Sequence, residues 1–486
     1  MQDPNTRPPR VELAPGLEIP RVVTGLWQIA DMERGGAKLD AEHASSALAE
    51  YANAGFDAFD MADHYGSAEE IAGRFHANGG LARVLTKWCP APAPITPEAV
   101  REGVGRSFAR LGVERIDLLQ LHWWRYSNPG YIDAMQELAH MRAERRLLHI
   151  GVTNFDTDHL RLLVRHGFPV VSNQVSFSLL DRRAAGRMTD FCRASGVKLL
   201  AYGTLAGGFL SDDWVGRTEP QYIPDWSKSK YKRFIDAIGG WYVLQEILSA
   251  AKRIADKHRV SVANVAARWV LEQEAVAAVI IGARLGEREH RADNLALFSF
   301  ALDSEDKARL DHALAQTKPI AGDCGDEYRK PPFLTASGDL SHHLEKVPLA
   351  FQVRAVTGRS RRWVDSGSKW EAIAGYSRAV RIGERIHVSG TTATHGTGLT
   401  ICPGDVEGQT VYTLDKIAAS IEALGGTLAD VVRTRIYVRD ASRWEPVAQV
   451  HARYFGEVRP ANTLVQAGAL VGDCEVEIEA EAEVGL

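Results

Sequence analysis

From residue 20 to about residue 320, short apolar runs alternate with amphipathic stretches of helical length. Eight such runs occur: VVTGLW at 22–27, FDAFDMA at 56–62, RVLTK at 83–87, IDLLQLH at 116–122, LLHIGVT at 147–153, PVVSNQ at 169–174, VKLLAY at 197–202 and AVIIGA at 278–283. Between them lie helix candidates at 41–54, 96–111, 131–145, 181–195 and 242–258, several opened by Thr, Asp or Pro in capping positions. Strand and helix alternate throughout, so an α/β fold is expected, specifically a (β/α)8 TIM barrel with its chemistry on loops at the C-terminal ends of the strands. A doubly wound sheet is the rival. It is weaker because no GxGxxG follows the first strand and the chemically distinctive residues are spread over nearly every strand end.

The pattern changes after residue 318, where PIAGDCGDEYRKPPFLTASGDLSHHLEKVPLAF is rich in Pro, Gly and charge without periodicity. A second unit follows. VRIGERIHVSGTTA alternates as two strands about a Gly-containing turn, EGQTVYTLDKIAASIEALGG is a helix with a Gly stop, and DVVRTRIYVRD is a strand. SRWEPVAQVHARYFGE is again helical, with ANTLVQAGAL and CEVEIEAEAEV as closing strands, which makes a small α+β unit. The expected division is a barrel at 1–345, a linker at 346–365 and the second unit at 366–486.

At 486 residues the chain exceeds what one core usually serves, which agrees with two units. A net charge of −5 without a basic block implies neither nucleic acid nor an anionic membrane as partner. Five cysteines, an odd number without CxxC spacing, speak against a disulfide framework or a zinc site, and a reducing cytoplasm fits. The adjacent His342 and His343 lack a cysteine or acid pattern nearby, so no metal is expected. The start, MQDPNTRPPRVELAPG, has no apolar core, and no run of 18 apolar residues occurs, so no targeting or membrane anchoring is expected.

Chemistry concentrates at the strand ends. In FDMADHY, Asp60 and Tyr65 stand five residues apart after the second run, Lys87 ends the third and His122 ends the fourth. A barrel would bring all four to its mouth. Asp60 would hold Lys87 charged, Lys87 would lower the pKa of Tyr65, and His122 would orient a carbonyl or relay a proton. Singly, each has a bland reading as a structural ion pair, a satisfied core histidine or a packed ring. Together they outweigh it.

With these residues in place, the stretch 12–344 resembles the aldo-keto reductase superfamily, on DMADHY, LTKW and LLQLHWW. The resemblance implies hydride transfer from a nicotinamide cofactor, NADPH as a rule, to a small-molecule carbonyl or imine, with Tyr65 as proton donor and no metal. It further implies that Thr153, Asn154 and Gln174, in GVTNF and SNQ, bond the nicotinamide carboxamide, that Tyr202 stacks on that ring, and that Gly203, Leu205 and Gly207 in AYGTLAGGFL approach the pyrophosphate. The resemblance also implies that Gly25 and Trp27 belong to the cofactor surface. In IIGARLGEREHRADN, Arg284 is the candidate for the 2′-phosphate with Arg288 as competitor, and Asp293 and Asn294 are candidates for adenine. Trp27, Trp123 and Trp124 are expected at the substrate pocket, where Tyr126, Trp214 and Trp226 could extend an aromatic wall. The excursion SDDWVGRTEPQYIPDWSKSKY has the length and aromatic content of a lid.

The second unit resembles the Rid (YjgF-like) reactive-intermediate deaminases, of chorismate-mutase-like fold, on AGYSRAV, HVSGTTA, RPANTLVQ and CEVEIEAEA. Tyr376, Ser389, Asn462 and Glu477 fall on family pocket positions, but Asn462 stands where deaminating members carry an arginine, and an amide cannot supply the bidentate charged grip of guanidinium. Arg459 is a weak substitute. The family's trimers imply a homotrimer organised by this unit. A reductase fused to a trimerising module is therefore expected, beside a bifunctional enzyme that also processes an imine or enamine and a nucleotide-sensing regulator built on the same barrel.

Overall fold

The computed structural model describes residues 7–29, 39–287, 290–330, 346–355, 357–358 and 360–485, with the side chain of Trp226 left aside. A hairpin, β1 (Arg10–Ala14) and β2 (Leu17–Pro20), precedes eight parallel strands: β3 (Val22–Gly25), β4 (Ala58–Asp60), β5 (Arg83–Trp88), β6 (Ile116–His122), β7 (Leu147–Thr153), β8 (Val170–Ser176), β9 (Lys198–Tyr202) and β10 (Val276–Gly282). Each pairs with the next and β10 pairs back to β3, so the sheet closes into a barrel. These strands are covered on both faces, which is why they read as apolar runs without alternation. Leu17 and Ile19 of the hairpin pack on Val23, Ala58, Leu85, Leu118 and Leu200 and plug the end of the barrel opposite its mouth.

The helices follow local sequence signals. Thr96 caps α3 (Pro97–Leu111) through the Ala99 N–H with Pro97 in the first turn, and Gly112, at φ 63°, ends it. The helix expected from 181 begins only at Arg187 and runs to Ser195. Asp181 is instead drawn into a buried ion pair with Arg183, 2.7 Å away, which bends the chain before the helix can start. The excursion after β9 is not wholly a loop: Trp226–Ala237 is a helix, called α7 here, capped by Asp225.

The C-terminal unit is a mixed sheet of seven strands in the order β11–β12–β13–β14–β17–β15–β16, comprising β11 (Val353–Ala355), β12 (Arg361–Val364), β13 (Ala379–Ile382), β14 (Arg385–Thr392), β15 (Val431–Val438), β16 (Ala461–Gln466) and β17 (Val476–Glu483). β11 and β12 lie in the stretch expected to be linker, because Arg361–Val364 pair antiparallel with β13 and extend the sheet. One face carries α13 (Val406–Ala423) and α14 (Trp444–Phe455). The other presents Glu477, Glu479, Glu481, Arg433, Arg435 and Tyr437, with Arg435 lying 2.9 Å from Glu481.

Almost every residue of α13 is buried, because the helix lies between its own sheet and α5 (Thr157–His166) of the barrel. At the centre of this contact His159 sits between Asp156, 2.8 Å from Nδ1, and Asp415 of α13, 3.0 Å from Nε2. Tyr126 stacks on the imidazole at 3.3 Å, and Tyr131 and Tyr454 each donate to Asp415. Burial opposes a charge on His159, but the two carboxylates outweigh it and hold its pKa up at about 10. The folded-state value lies above the ordinary histidine value of about 6.5, so the stabilisation is complete below that pH and drains away as pH rises towards 10. The thermal midpoint of the full chain should therefore fall between about pH 7 and pH 10, and the same titration of His159→Gln should be flatter; equal slopes would contradict the charged state of His159.

Candidate active site

The barrel mouth opens into a cavity of about 400 Å³, lined from nearly every strand end. At its floor lies a buried ion pair. Lys87, ending β5, donates to both oxygens of Asp60 at 2.9 and 2.8 Å and to the carbonyl of Met61 at 2.8 Å, with Lys87 3% and Asp60 4% exposed. All three ammonium donors are thereby used on acceptors fixed by the sheet, as a buried cation requires. Gln174 donates to Asp60 at 2.7 Å, and Gln120 supports both. The Lys87 ammonium is 5.0 Å from the centre of the Tyr65 ring. Tyr65 is further fixed edge-on by Trp27 at 4.8 Å and by His64 at 4.8 Å.

His122 closes the other side. Burial, reinforced by the cationic Arg329, pushes its pKa well below the ordinary range, so the ring is neutral. Its Nδ1 lies 3.4 Å from the Thr153 carbonyl, which can only accept, so Nδ1 carries the proton and Nε2 offers a lone pair. Trp124 and Tyr328 flank it edge-on at 4.3 and 5.6 Å.

Further out, Asn154 adopts a left-handed conformation with φ 57°. Its N–H donates to Gln174 O at 2.8 Å, its carbonyl accepts from Arg329, and its Oδ1 accepts from the Tyr202 hydroxyl at 2.8 Å. Gly325 presses on the same carbonyl so closely that a Cβ there would lie 1.9 Å from the oxygen. Gly203 and Gly207, at φ 70° and 64°, make room for Tyr231 of α7, whose atoms a Cβ at either position would meet at 2.4 or 2.9 Å. Arg284 reaches Asp225 at 3.6 Å and Gln28 at 3.4 Å, so it bridges the β10 loop to the start of α7.

Of the residues expected at this site, the cavity gathers Gly25, Trp27, Asp60, Tyr65, Lys87, His122, Trp124, Thr153, Asn154, Gln174, Tyr202, Gly203, Leu205, Gly207 and Arg284. Trp123 does not line it. That ring turns into the core, with its N–H bonded to the carbonyls of Arg125 and Asn128. Tyr126 is spent on His159, and Trp214 packs on Phe209 and Trp241. Asp293 and Asn294 lie outside the cavity on a short helix, Asp293 exposed and Asn294 buried. Arg288 lies outside the described residues. In the C-terminal unit Arg378, buried, donates to Tyr376 and to the Gly390 carbonyl, and Glu477 lies against Gly390 beside Ser389, so Tyr376, Ser389 and Glu477 share one neighbourhood. Asn462 does not join them. It registers with Thr434 and Ala480, which face the helices, and donates to Thr434 at 2.9 Å, whereas Glu477 is on the opposite, open face.

Several lining residues were not anticipated. His64 and Cys89 were within reach, standing beside Tyr65 and Lys87 in the same motifs, and Asp63 ties them together by accepting from the Cys89 N–H while bonding His64 Nδ1. Lys228 and Lys230 come from α7, and Tyr328 from the tail after the barrel, where no periodicity marked it. Lys230 donates to the Tyr328 hydroxyl at 2.6 Å.

Residues 21–315 match the Aldo/keto reductase family model, which is more than half of the chain. The chain belongs to the aldo/keto reductase family. Residues 366–484 match a second model, Endoribonuclease L-PSP, the Rid type, so both families meet in one chain. Over 224 residues the barrel is 25% identical to the NADH-specific methylglyoxal reductase of Escherichia coli, covering 44% of this chain and 63% of that protein. The chain thus spans less than two thirds of that relative, and 41% of another. The C-terminal unit is 34% identical over 110 residues to a RutC family protein of Pyrococcus horikoshii, covering 23% of this chain and 87% of that one. Among solved structures, the glycerol dehydrogenase of Gluconobacter oxydans superposes with a TM-score of 0.53 at 24% identity, covering 66% of this chain and 98% of that one, which bears on the fold alone.

Replacing Lys87 leaves Asp60 as a buried charge supported by side-chain amides only. Lys87→Met should lower the unfolding free energy by about 3 kcal/mol, read from denaturant midpoints, and Lys87→Met with Asp60→Asn should recover part of that loss. A single variant as stable as the parent would refute the pairing.

Proposed function

We propose that this chain is a nicotinamide-dependent reductase of small carbonyl or imine compounds, joined to a Rid-like unit that assembles it into trimers. The observation that carries the reading is the Lys87 ammonium, held by Asp60 and placed 5.0 Å from the Tyr65 ring. When bound, the cofactor supplies the hydride. Tyr65 then gives its hydroxyl proton to the developing alkoxide or amide, and Lys87 stabilises the phenolate that remains. His122, neutral, presents an acceptor at Nε2 on the other side of the mouth, which suits a substrate that carries a hydroxyl or N–H beside the reacting group.

The residues fit such a cofactor. Among the described residues no partner is found for Gln174 Oε1 or for Asn154 Nδ2, one acceptor and one donor, which is the complement of a primary carboxamide. Tyr202 offers a ring face beside them. Ser227, Lys228, Lys230, Arg284 and His290 line the outer cavity, while Asp60, already paired, is the single acid among its described lining residues. That balance fits phosphates. Arg284 favours NADPH, with its fork free to exchange Asp225 for a 2′-phosphate. NADH is the alternative, since the Escherichia coli relative carries an NADH-specific name.

The trimer is supported by the open face of the C-terminal sheet, where acidic and basic rows alternate beside exposed Val465 and Ile382. Asn462, turned away from Glu477, favours assembly or ligand binding over imine deamination. We place the start of this unit at Val353, with the barrel unit ending by residue 345.

Tyr65→Phe should lower reduction of a panel of aldehydes, ketones and cyclic imines by a factor of about 100 or more, while the NADPH dissociation constant changes less than about threefold. Near-parental turnover would remove the assignment. Arg284→Ala should weaken NADPH by the loss of about 1.5–3 kcal/mol and leave NADH unchanged; a parent that uses both nucleotides equally would refute the preference. Light scattering of the full chain should give three times the monomer mass, and a monomer would contradict the assembly.

A further inference from the structure

We propose that Asp415, carried by the C-terminal unit, is a positioning residue of the barrel's cofactor site, acting through His159 on the loop that holds Asn154. The inference rests on the reductase reading of the barrel mouth. Two kinds of contact join the units. At the rim are ion pairs such as Arg161 with Asp405 at 2.9 Å and with Glu407 at 3.3 Å, together with Ser127 donating to Glu422 at 2.7 Å.

Asp415 is different in depth and in what it touches. Its side chain is 2% exposed and accepts from His159, Tyr131 and Tyr454, two of the three being barrel residues. A carboxylate so placed is tolerated only while those donors hold it. His159 in turn fixes Asp156 through Nδ1, and Asp156 caps the first turn of α5 by accepting from the His159 N–H at 2.8 Å. Asp156 is two residues from Asn154. The Asp156 N–H donates to the hydroxyl of Tyr126, whose ring stacks on the imidazole and lies 4.4 Å from the Arg329 guanidinium. Arg329 closes the circuit by donating to the carbonyls of Asn154 and Trp123, the first residues after Thr153 at the end of β7 and His122 at the end of β6.

Asn154 stays in a left-handed conformation, which Asn tolerates better than most L residues, and its carbonyl, N–H and side-chain oxygen are all held by neighbours. Without Asp415 the imidazole keeps Asp156 but loses its second acceptor, Tyr131 loses its partner, and the ring that steadies Asp156 and stacks on Tyr126 is held from one side only. The fused unit therefore completes the barrel's cofactor loop in cis.

The test uses the full chain. Asp415→Asn, His159→Gln and the double variant are titrated with NADPH by tryptophan-fluorescence quenching, and amide hydrogen exchange is followed across residues 153–160 in the absence of nucleotide. Expected for Asp415→Asn are NADPH binding about tenfold weaker, faster exchange confined to 153–160, and kcat at saturating NADPH close to that of the parent. The double variant, whose two amides can bond each other, should regain most of the affinity. Parental affinity and exchange in Asp415→Asn would overturn the proposal, as would exchange raised evenly over the whole chain, which marks a structural role only. A parent that binds neither NADPH nor NADH would instead overturn the reductase reading, and the exchange data would still report whether Asp415 holds the loop.

Discussion

The barrel mouth is organised by one cost: a lysine and an aspartate removed from water. Neither Lys87 nor Asp60 could stay charged there alone, and the structure answers by giving each several fixed partners, Met61 and Asp60 for the ammonium, Gln174 and Gln120 for the carboxylate. Because Gln174 spends its amide N–H on Asp60, its other end is left as an acceptor. Because the ammonium is immobile, its field falls on Tyr65 from a constant direction. The polar residues of the floor therefore behave as one network in which each group's orientation is set by the next.

The eight barrel strands were legible because burial on both faces leaves an unmixed apolar run, and each ended within about three residues of its run. The same logic located Asp60, Lys87 and His122, since strand ends in a barrel converge whatever their separation in sequence. What could not be read depends on contacts that no period records. Trp123 and Trp124 are neighbours of the same type, yet one enters the core and the other the cavity, a choice made by the carbonyls of Arg125 and Asn128. Asn462 sits on a strand whose residues are nearly all exposed, so its facing was hidden until register placed it beside Thr434. The strands at 353–355 and 361–364 are short and mostly exposed, one at the sheet edge and the other next to it, and so resembled a linker.

Joining two units usually leaves an interface more polar than a core, and its rim here follows that pattern. Its centre carries that polarity into a fully buried site. His159 is a buried imidazolium between two carboxylates, and such an arrangement is stable only when all members are present, which makes the two units partners in a single ionisation.

Helix α13 has no face left for water. A helix of that kind answers to two surfaces at once, so substitutions along it are filtered by the barrel as well as by its own sheet. The barrel is marked too: Tyr131 and His159 present to α13 groups that a free-standing relative would have to leave in solvent or replace. Descent from a fused ancestor should thus be visible in barrel sequences alone. A lineage that had lost the C-terminal unit would be under pressure to change these two positions first, well before the strand ends of the mouth.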